Sequence, residues 1–228
     1  MFNMDIDSQR YEIKMVFENS HRFAVESWVR LHSRAFRTAF PTRRVNNLYF
    51  DTHSQDMFND HIAGTFERRK LRFRWYGENF SPAFGQLELK HKQGMIGWKD
   101  SQMILKSLDF ARCGWQEIYA DLQSEATGVF SEALVISRPI LINNYQRQYF
   151  ISADGMIRLT LDYDLTAFDQ SASPRPNTSF PIPTRDLLII EFKAAPELAR
   201  DLADVLAEFP LPVEAYSKYV ELAGWIFQ

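Results

Sequence analysis

The chain has 228 residues, with 26 lysines and arginines against 29 aspartates and glutamates and a formal net charge of −3. A hydrophobic fraction of 46% with 14% aromatics excludes a disordered tail and is that of a globular protein with a substantial core. The slightly acidic total argues against a surface that coats nucleic acid, and the single cysteine, Cys113, excludes an internal disulfide and a multi-cysteine zinc site. No apolar run reaches the length of a membrane span, and MFNMDIDSQR lacks the apolar region of a secretory signal. The expectation is a cytoplasmic protein with no direct membrane insertion, whose association with a membrane would need a membrane-protein partner.

Period-2 alternation predicts a first strand over 10–17, followed by a helix from an Asn19-Ser20 cap to about Phe36, ended by Pro41. A strand is predicted over 45–50, a short helix around 55–61, and a long charged strand over 65–76. The next strand is 86–92, with Gly94 and Gly97 turning the chain before Trp98-Lys99. Residues 101–136 lack clean alternation and suit short helices. Strands return over 140–146, 147–152 and 156–163, the last two joined by Asp154-Gly155, a good hairpin signal. A Pro- and Ser-rich loop spans 171–183, a strand spans 187–193, and amphipathic helices are predicted over 196–209 and 213–227. Nothing separates two domains cleanly, so residues 1–228 are expected to form one domain.

The informative pattern is charge at every second position of the strands. Lys70, Arg72 and Arg74 alternate with Leu71, Phe73 and Trp75, Glu88, Lys90 and Lys92 with Leu87 and Leu89, and Glu191 and Lys193 with Ile190 and Phe192. Glu12 and Lys14 repeat the pattern in the first strand, and Arg147, Arg158 and Asp162 in the later ones. Side chains at i and i+2 share a strand face, so each segment has one charged and one apolar face. The expected architecture is α+β, a closed antiparallel barrel of about eight strands with charged faces lining its interior and helices packed on its outside. The interior candidates are Lys14, Arg72, Arg74, Lys90, Lys92, Lys99, Arg147, Arg158, Lys193 and Lys218, with Glu12, Glu88, Asp162 and Glu191 among them.

That composition suits a polyanion. Arginine offers phosphate two parallel hydrogen bonds, and lysine a compact charge. Like charges about 4 Å apart repel by about 4 kcal/mol at an effective dielectric of 20, so such a lining is unfavourable when empty and favourable around a polyphosphate. The carboxylates either neutralise neighbouring bases or hold a divalent cation that bridges phosphate oxygens. An isolated strand lysine is more often simply solvated, and charge on edge strands also blocks aggregation. No GxGxxG, Walker A, GxSxG or HExxH motif is present, and the five histidines show no metal-ligand spacing.

The ordered set RYEIK, NLYFDT, KLRFRWYG, LELKHKQG with WKD, YQRQYF, IRLTLDYD, LIIEFK and YSKY resembles the VTC domain, the polyphosphate polymerase domain of the vacuolar transporter chaperone complex, in a short bacterial form. That domain belongs with the CYTH and triphosphate tunnel metalloenzymes. The resemblance runs from about Arg10 to Trp225 and implies a tunnel of about eight strands, a nucleoside triphosphate or polyphosphate ligand, and Mn²⁺ or Mg²⁺. Motif by motif it implies that Arg72 and Arg74 clamp phosphate, with Lys90, Arg147, Arg158 and Lys218 sharing the catalytic role. Lys14 matches the basic residue of the first strand, Lys99 the following lumen lysine with Lys92 as its rival, and Glu191 the carboxylate that holds the metal; with Lys193 and Glu12 from the interior candidates, these lysines make the expected substrate-contacting set. One departure stands out: the first strand reads RxExK, with Arg10 where the triphosphatases of this group resemble ExExK. Losing that carboxylate weakens a two-metal hydrolytic site.

The expected activity is therefore transfer of the γ-phosphate of ATP to inorganic polyphosphate, by alignment and charge stabilisation without a protein nucleophile. The alternatives are hydrolysis of tripolyphosphate or an organic triphosphate, and a non-catalytic module that binds polyphosphate or inositol phosphates.

Overall fold

A computed structural model of the chain describes residues 11–81, 83–94 and 96–211. Its eight strands are β1 (Tyr11–Glu18), β2 (Arg37–Thr52), β3 (Glu67–Tyr76), β4 (Ala83–Gln93), β5 (Ile96–Leu108), β6 (Ser137–Ile151), β7 (Arg158–Asp169) and β8 (Leu187–Ala194). Five helices accompany them among the described residues: α1 (Arg22–Leu31), α2 (Asp56–Ala63), α3 (Trp115–Glu125), α4 (Val129–Val135) and α5 (Ala199–Ala207). The strands form one antiparallel sheet in the order β1-β8-β7-β6-β2-β3-β4-β5. The α+β class is as expected. Among the described residues β1 and β5 are the two ends of the hydrogen-bonded order, so hydrogen bonding does not close the sheet into the expected barrel.

The described chain divides into two units, one of residues 11–43, 145–165 and 185–211, the other of residues 44–144 and 166–184. In the first, alternation buries Met15 of β1, Leu159 and Leu161 of β7, and Leu188, Ile190 and Phe192 of β8. Val25 and Val29, one turn apart on α1, and Leu202 and Val205 on α5 complete this core. In the second, Leu48 and Phe50 of β2, Leu71, Phe73 and Trp75 of β3, Leu87 and Leu89 of β4, and Ile104 and Leu108 of β5 pack with Trp115, Ile118 and Leu122 of α3 and Phe130 and Leu134 of α4. Trp75 stacks on Phe110 at 4.8 Å between ring centres. In both units the helices thus cover the apolar face, which leaves the charged positions on the opposite one.

Several boundaries differ from the sequence expectation. α1 ends at Leu31, where His32 turns extended and Ala35 takes a positive φ of 47°. β2 runs through Pro41, a residue without an N–H, which lies before the Val45–Phe50 stretch paired with β3. The largest correction is β5, a 13-residue strand whose second half lies within a stretch expected to be helical. Its ladder with β4 shifts register between Ala83 and Gly85. Two outward N–H groups of this end strand, those of Leu105 and Lys106, donate to the Glu125 carboxylate at the end of α3 at 2.5 and 2.8 Å. Residues 137–151 form one strand instead of two, since nothing between Gln146 and Arg147 breaks it. The Asp154-Gly155 turn is present, with Gly155 at φ 78° and its N–H bonded to Ser152 O at 2.9 Å. The helix expected over 213–227 lies outside the described residues.

Candidate functional site

In the second unit, the charged face of β3 presents Arg68, Lys70, Arg72 and Arg74 at successive i+2 positions. The ladder sets Arg68 opposite Lys92, Lys70 opposite Lys90, Arg72 opposite Glu88 and Arg74 opposite Gln86. On the far side of β4, Lys90 faces Lys99 and Glu88 faces Ser101 of β5. Lys70, Lys90 and Lys99 are therefore three like charges in one row across three strands. Directly opposed like charges destabilise a sheet, so this row favours an anion over it.

Glu88 is the one carboxylate among the charged side chains named on this face, and it is only 1% exposed. Arg72 Nε donates to its Oε2 at 2.6 Å, with Nη2 on the same oxygen, while Lys99 Nζ and Gln86 Nε2 donate to its Oε1 at 2.7 and 2.9 Å. Arg74 Nη1 lies 3.9 Å away. Burial alone would raise the Glu88 pKa, but Arg72, Arg74 and Lys99 outweigh it and hold the carboxyl far below the usual carboxylate range. Asn47, fully buried on β2, accepts from Arg74 Nε at 3.0 Å and donates to Asn143 of β6 at 2.9 Å. Arg72 also reaches the Tyr49 hydroxyl at 3.5 Å. The two arginines are thereby held in fixed orientations with their chains lying along the face.

In the first unit, Lys14 of β1 is the direct partner of Glu191 of β8, and Glu12 the partner of Lys193. Lys14 Nζ lies 2.9 Å from Glu191 Oε1 and Lys193 Nζ lies 2.9 Å from Glu12 Oε1. Glu191 Oε2 also faces Lys193 at 3.5 Å and Arg147 at 3.9 Å. Arg147 grips both oxygens of the buried Asp162, Nε at 2.6 Å and Nη2 at 2.7 Å, and lies over the Tyr145 ring. Burial opposes the charge on Arg147, yet Asp162, Tyr145 and Glu191 raise its pKa well above the ordinary value. Burial likewise opposes Lys14, and Glu191 and Glu12 raise it. Arg158 is exposed on β7 opposite Lys193.

Each described candidate thus falls on one of two charged faces: Arg72, Arg74, Lys90, Lys92 and Lys99 on the second unit, Glu12, Lys14, Arg147, Arg158, Glu191 and Lys193 on the first. Lys218 and Arg10 lie outside the described residues. The sequence reading gave no role to Asn47, Asn143 or Gln86, whose amides orient the arginines and Glu88. Asn47 shares strand parity with Tyr49, opposite to that of the core residues Leu48 and Phe50, and that was the available signal.

Eight strands in this order, with basic rows on the face away from the helices, make a fold found among solved structures. Three solved structures share it. A candidate adenylate cyclase from Bacillus halodurans is 16% identical, with a TM-score of 0.53 over 92% of this chain and 94% of that one. Another from Vibrio parahaemolyticus is 14% identical, with a TM-score of 0.52 over 94% and 98%. A third is HpAC1 from Hippeastrum, a candidate adenylyl cyclase with a dominant triphosphatase activity, at 17% identity and TM-score 0.50 over 95% and 96%. No curated protein matches the sequence. The profile of the VTC domain matches residues 9–223, and the chain belongs to the VTC domain family.

Triphosphate tunnel enzymes generally use divalent metals. The donor set of the described residues does not fit a metal held by protein alone: no group of three His, Cys, Asp or Glu side chains converges among them. Glu191, the expected ligand, has both oxygens turned to cations. Among the described residues no helix is long and apolar enough to cross a membrane.

Proposed function

We propose that the protein is a polyphosphate polymerase-type phosphotransferase, moving the γ-phosphoryl group of ATP onto inorganic polyphosphate. The observation that carries this reading is the length of the basic row on β3, β4 and β5. Arg68, Lys70, Arg72 and Arg74 are three i+2 steps, about 20 Å at the rise of a strand, backed by Lys92, Lys90 and Lys99. A row of that length exceeds what three phosphoryl groups occupy and suits a chain. With Glu88 as the single carboxylate between them, the seven cations leave a strong positive excess for a polyanion.

In this reading Arg72 and Arg74 hold non-bridging oxygens through their guanidinium groups, and Lys90, Lys92 and Lys99 neutralise successive phosphates. Arg147, Arg158, Lys14 and Lys193 hold phosphate oxygens on their own face, and Lys218 joins the cationic set. The acceptor phosphate attacks the γ-phosphorus, the bond to the β,γ-bridging oxygen breaks, and ADP leaves with that oxygen. The protein contributes alignment and charge stabilisation, without a covalent intermediate. A divalent cation, Mn²⁺ or Mg²⁺, would supply further charge neutralisation on the phosphates.

The fold shared with HpAC1, a dominant triphosphatase, favours a second reading, in which water replaces the polyphosphate acceptor and orthophosphate is released. Incubation with ATP and Mn²⁺ followed by sizing on a gel decides between them. Long polymer supports the polymerase, orthophosphate alone the hydrolase, and tight polyphosphate binding without turnover overturns both.

A further inference from the structure

The two charged faces differ in balance. Around the row of β3, β4 and β5 the cations outnumber the carboxylate. On β1, β7 and β8 the acids Glu12, Asp162 and Glu191 each meet a cation: Glu12 has Lys193, Asp162 has Arg147, and Glu191 has Lys14. The pairing follows from register, because Lys14 and Glu191 are direct cross-strand partners and so are Glu12 and Lys193. Glu191 is only 5% exposed, and its two oxygens are divided between Lys14 at 2.9 Å on one side and Lys193 and Arg147 at 3.5 and 3.9 Å on the other. Both oxygens of Asp162 are taken by Arg147. A divalent ion binds through carboxylate oxygens at about 2.0–2.6 Å, and here it would sit within contact of ammonium and guanidinium groups that the strands hold in place.

We propose that the ammonium of Lys14 occupies the position at Glu191 that a divalent ion would need, so that this face carries a built-in monovalent cation and no resident metal. A divalent ion then reaches the protein as the counter-ion of its phosphate ligand. Only this last step rests on the phosphate reading above. Glu191 is the counter-ion of the Lys14 ammonium.

The test uses the full chain and Mn²⁺ alone, followed by the loss of the free-ion signal in electron paramagnetic resonance. Wild-type protein is expected to give no saturable binding at Glu191. Lys14→Ala, and Lys14→Met which keeps the apolar stem, are expected to gain a Mn²⁺ site at least about tenfold tighter, removed again by adding Glu191→Gln. Circular dichroism checks that each variant is folded. Saturable Mn²⁺ binding to the wild type that Glu191→Gln abolishes would overturn the proposal, as would folded Lys14 variants that gain no site. In a second arm, tripolyphosphate is titrated calorimetrically in EDTA and in Mn²⁺. Binding in EDTA within about tenfold of that in Mn²⁺ supports the proposal, and its abolition by EDTA overturns it. Failure to bind under either condition would sink the phosphate reading instead, and the Mn²⁺ titration would still decide the role of Lys14.

Discussion

Arg72 and Glu88 are direct cross-strand partners on β3 and β4, and the guanidinium meets a carboxylate that is almost wholly removed from water. Removing one member of a buried pair strands the other, at about 3–5 kcal/mol. Glu88→Gln is therefore expected to lower stability by that order in urea denaturation, because Arg72 and Lys99 both lose their anion. The folded carboxyl titrates below its unfolded value, so its contribution is present above about pH 4.5 and is lost as pH falls below it. The variant is expected to show a flatter stability profile below pH 4.5 than the wild type, and an identical slope would refute the assignment.

Tripolyphosphate at about 100 times its dissociation constant is expected to stabilise the fold by about 2.7 kcal/mol. Sulfate at equal ionic strength is expected to give less, because it cannot span successive rows of cations. Combining Arg72→Ala with Arg74→Ala is expected to erase the difference in a thermal-shift assay. Equal shifts with both anions in the wild type would count against a chain-binding row.

His61 on α2 is held neutral down to about pH 4 by burial and by Lys70, with Arg68 and Lys92 adding to the effect. An unfolded histidine titrates near pH 6.5, so the folded state resists protonation, and stability is expected to fall as pH drops from about 6.5 to 4. A polyanion lying over Lys70, Arg68 and Lys92 screens those charges and raises the His61 pKa. Polyphosphate binding is thus expected to take up a proton in this window, with affinity rising as pH falls. His61→Gln should reduce that slope in titrations at several pH values, and an unchanged slope would remove His61 from the row.

Gly85 of β4 is the ladder partner of Trp75 on β3. A Cβ there would stand 2.1 Å from the Arg74 carbonyl oxygen and 2.8 Å from the Phe73 ring, and backbone cannot yield cheaply. Gly85→Ala is expected to cost about 1–3 kcal/mol by overpacking, and to weaken tripolyphosphate binding because Arg74 is displaced. Denaturation with urea and a calorimetric titration measure the two effects separately. Unchanged values in both would show that the strands can part without consequence.

The sequence made β3, β4 and β8 legible because their two faces meet opposite environments. Leu71, Phe73 and Trp75 pack under helices while Arg72 and Arg74 do not, and period-2 reading depends on that contrast. β5 was hidden because its charged face gives way to Met103 and Leu105, both exposed, so polarity stops reporting which way a side chain points. Pro41 misled for a related reason: it forbids a ladder donor, and β2 runs through it before its pairing with β3 begins. The cations of both faces could be named from spacing, but their partners could not. Glu88 meets Arg72 and Lys99 through strand register, and Asn47 meets Asn143 across 96 positions of sequence.

The Glu125 carboxylate that receives the Leu105 and Lys106 amides has a consequence for behaviour in concentrated solution. A terminal strand with free donors recruits strands from neighbouring molecules, and the exposed Met103 and Leu105 would strengthen such stacking. By occupying those donors from within the same chain, Glu125 denies a second molecule its template, and so guards against self-association at the place where greasy side chains would otherwise invite it.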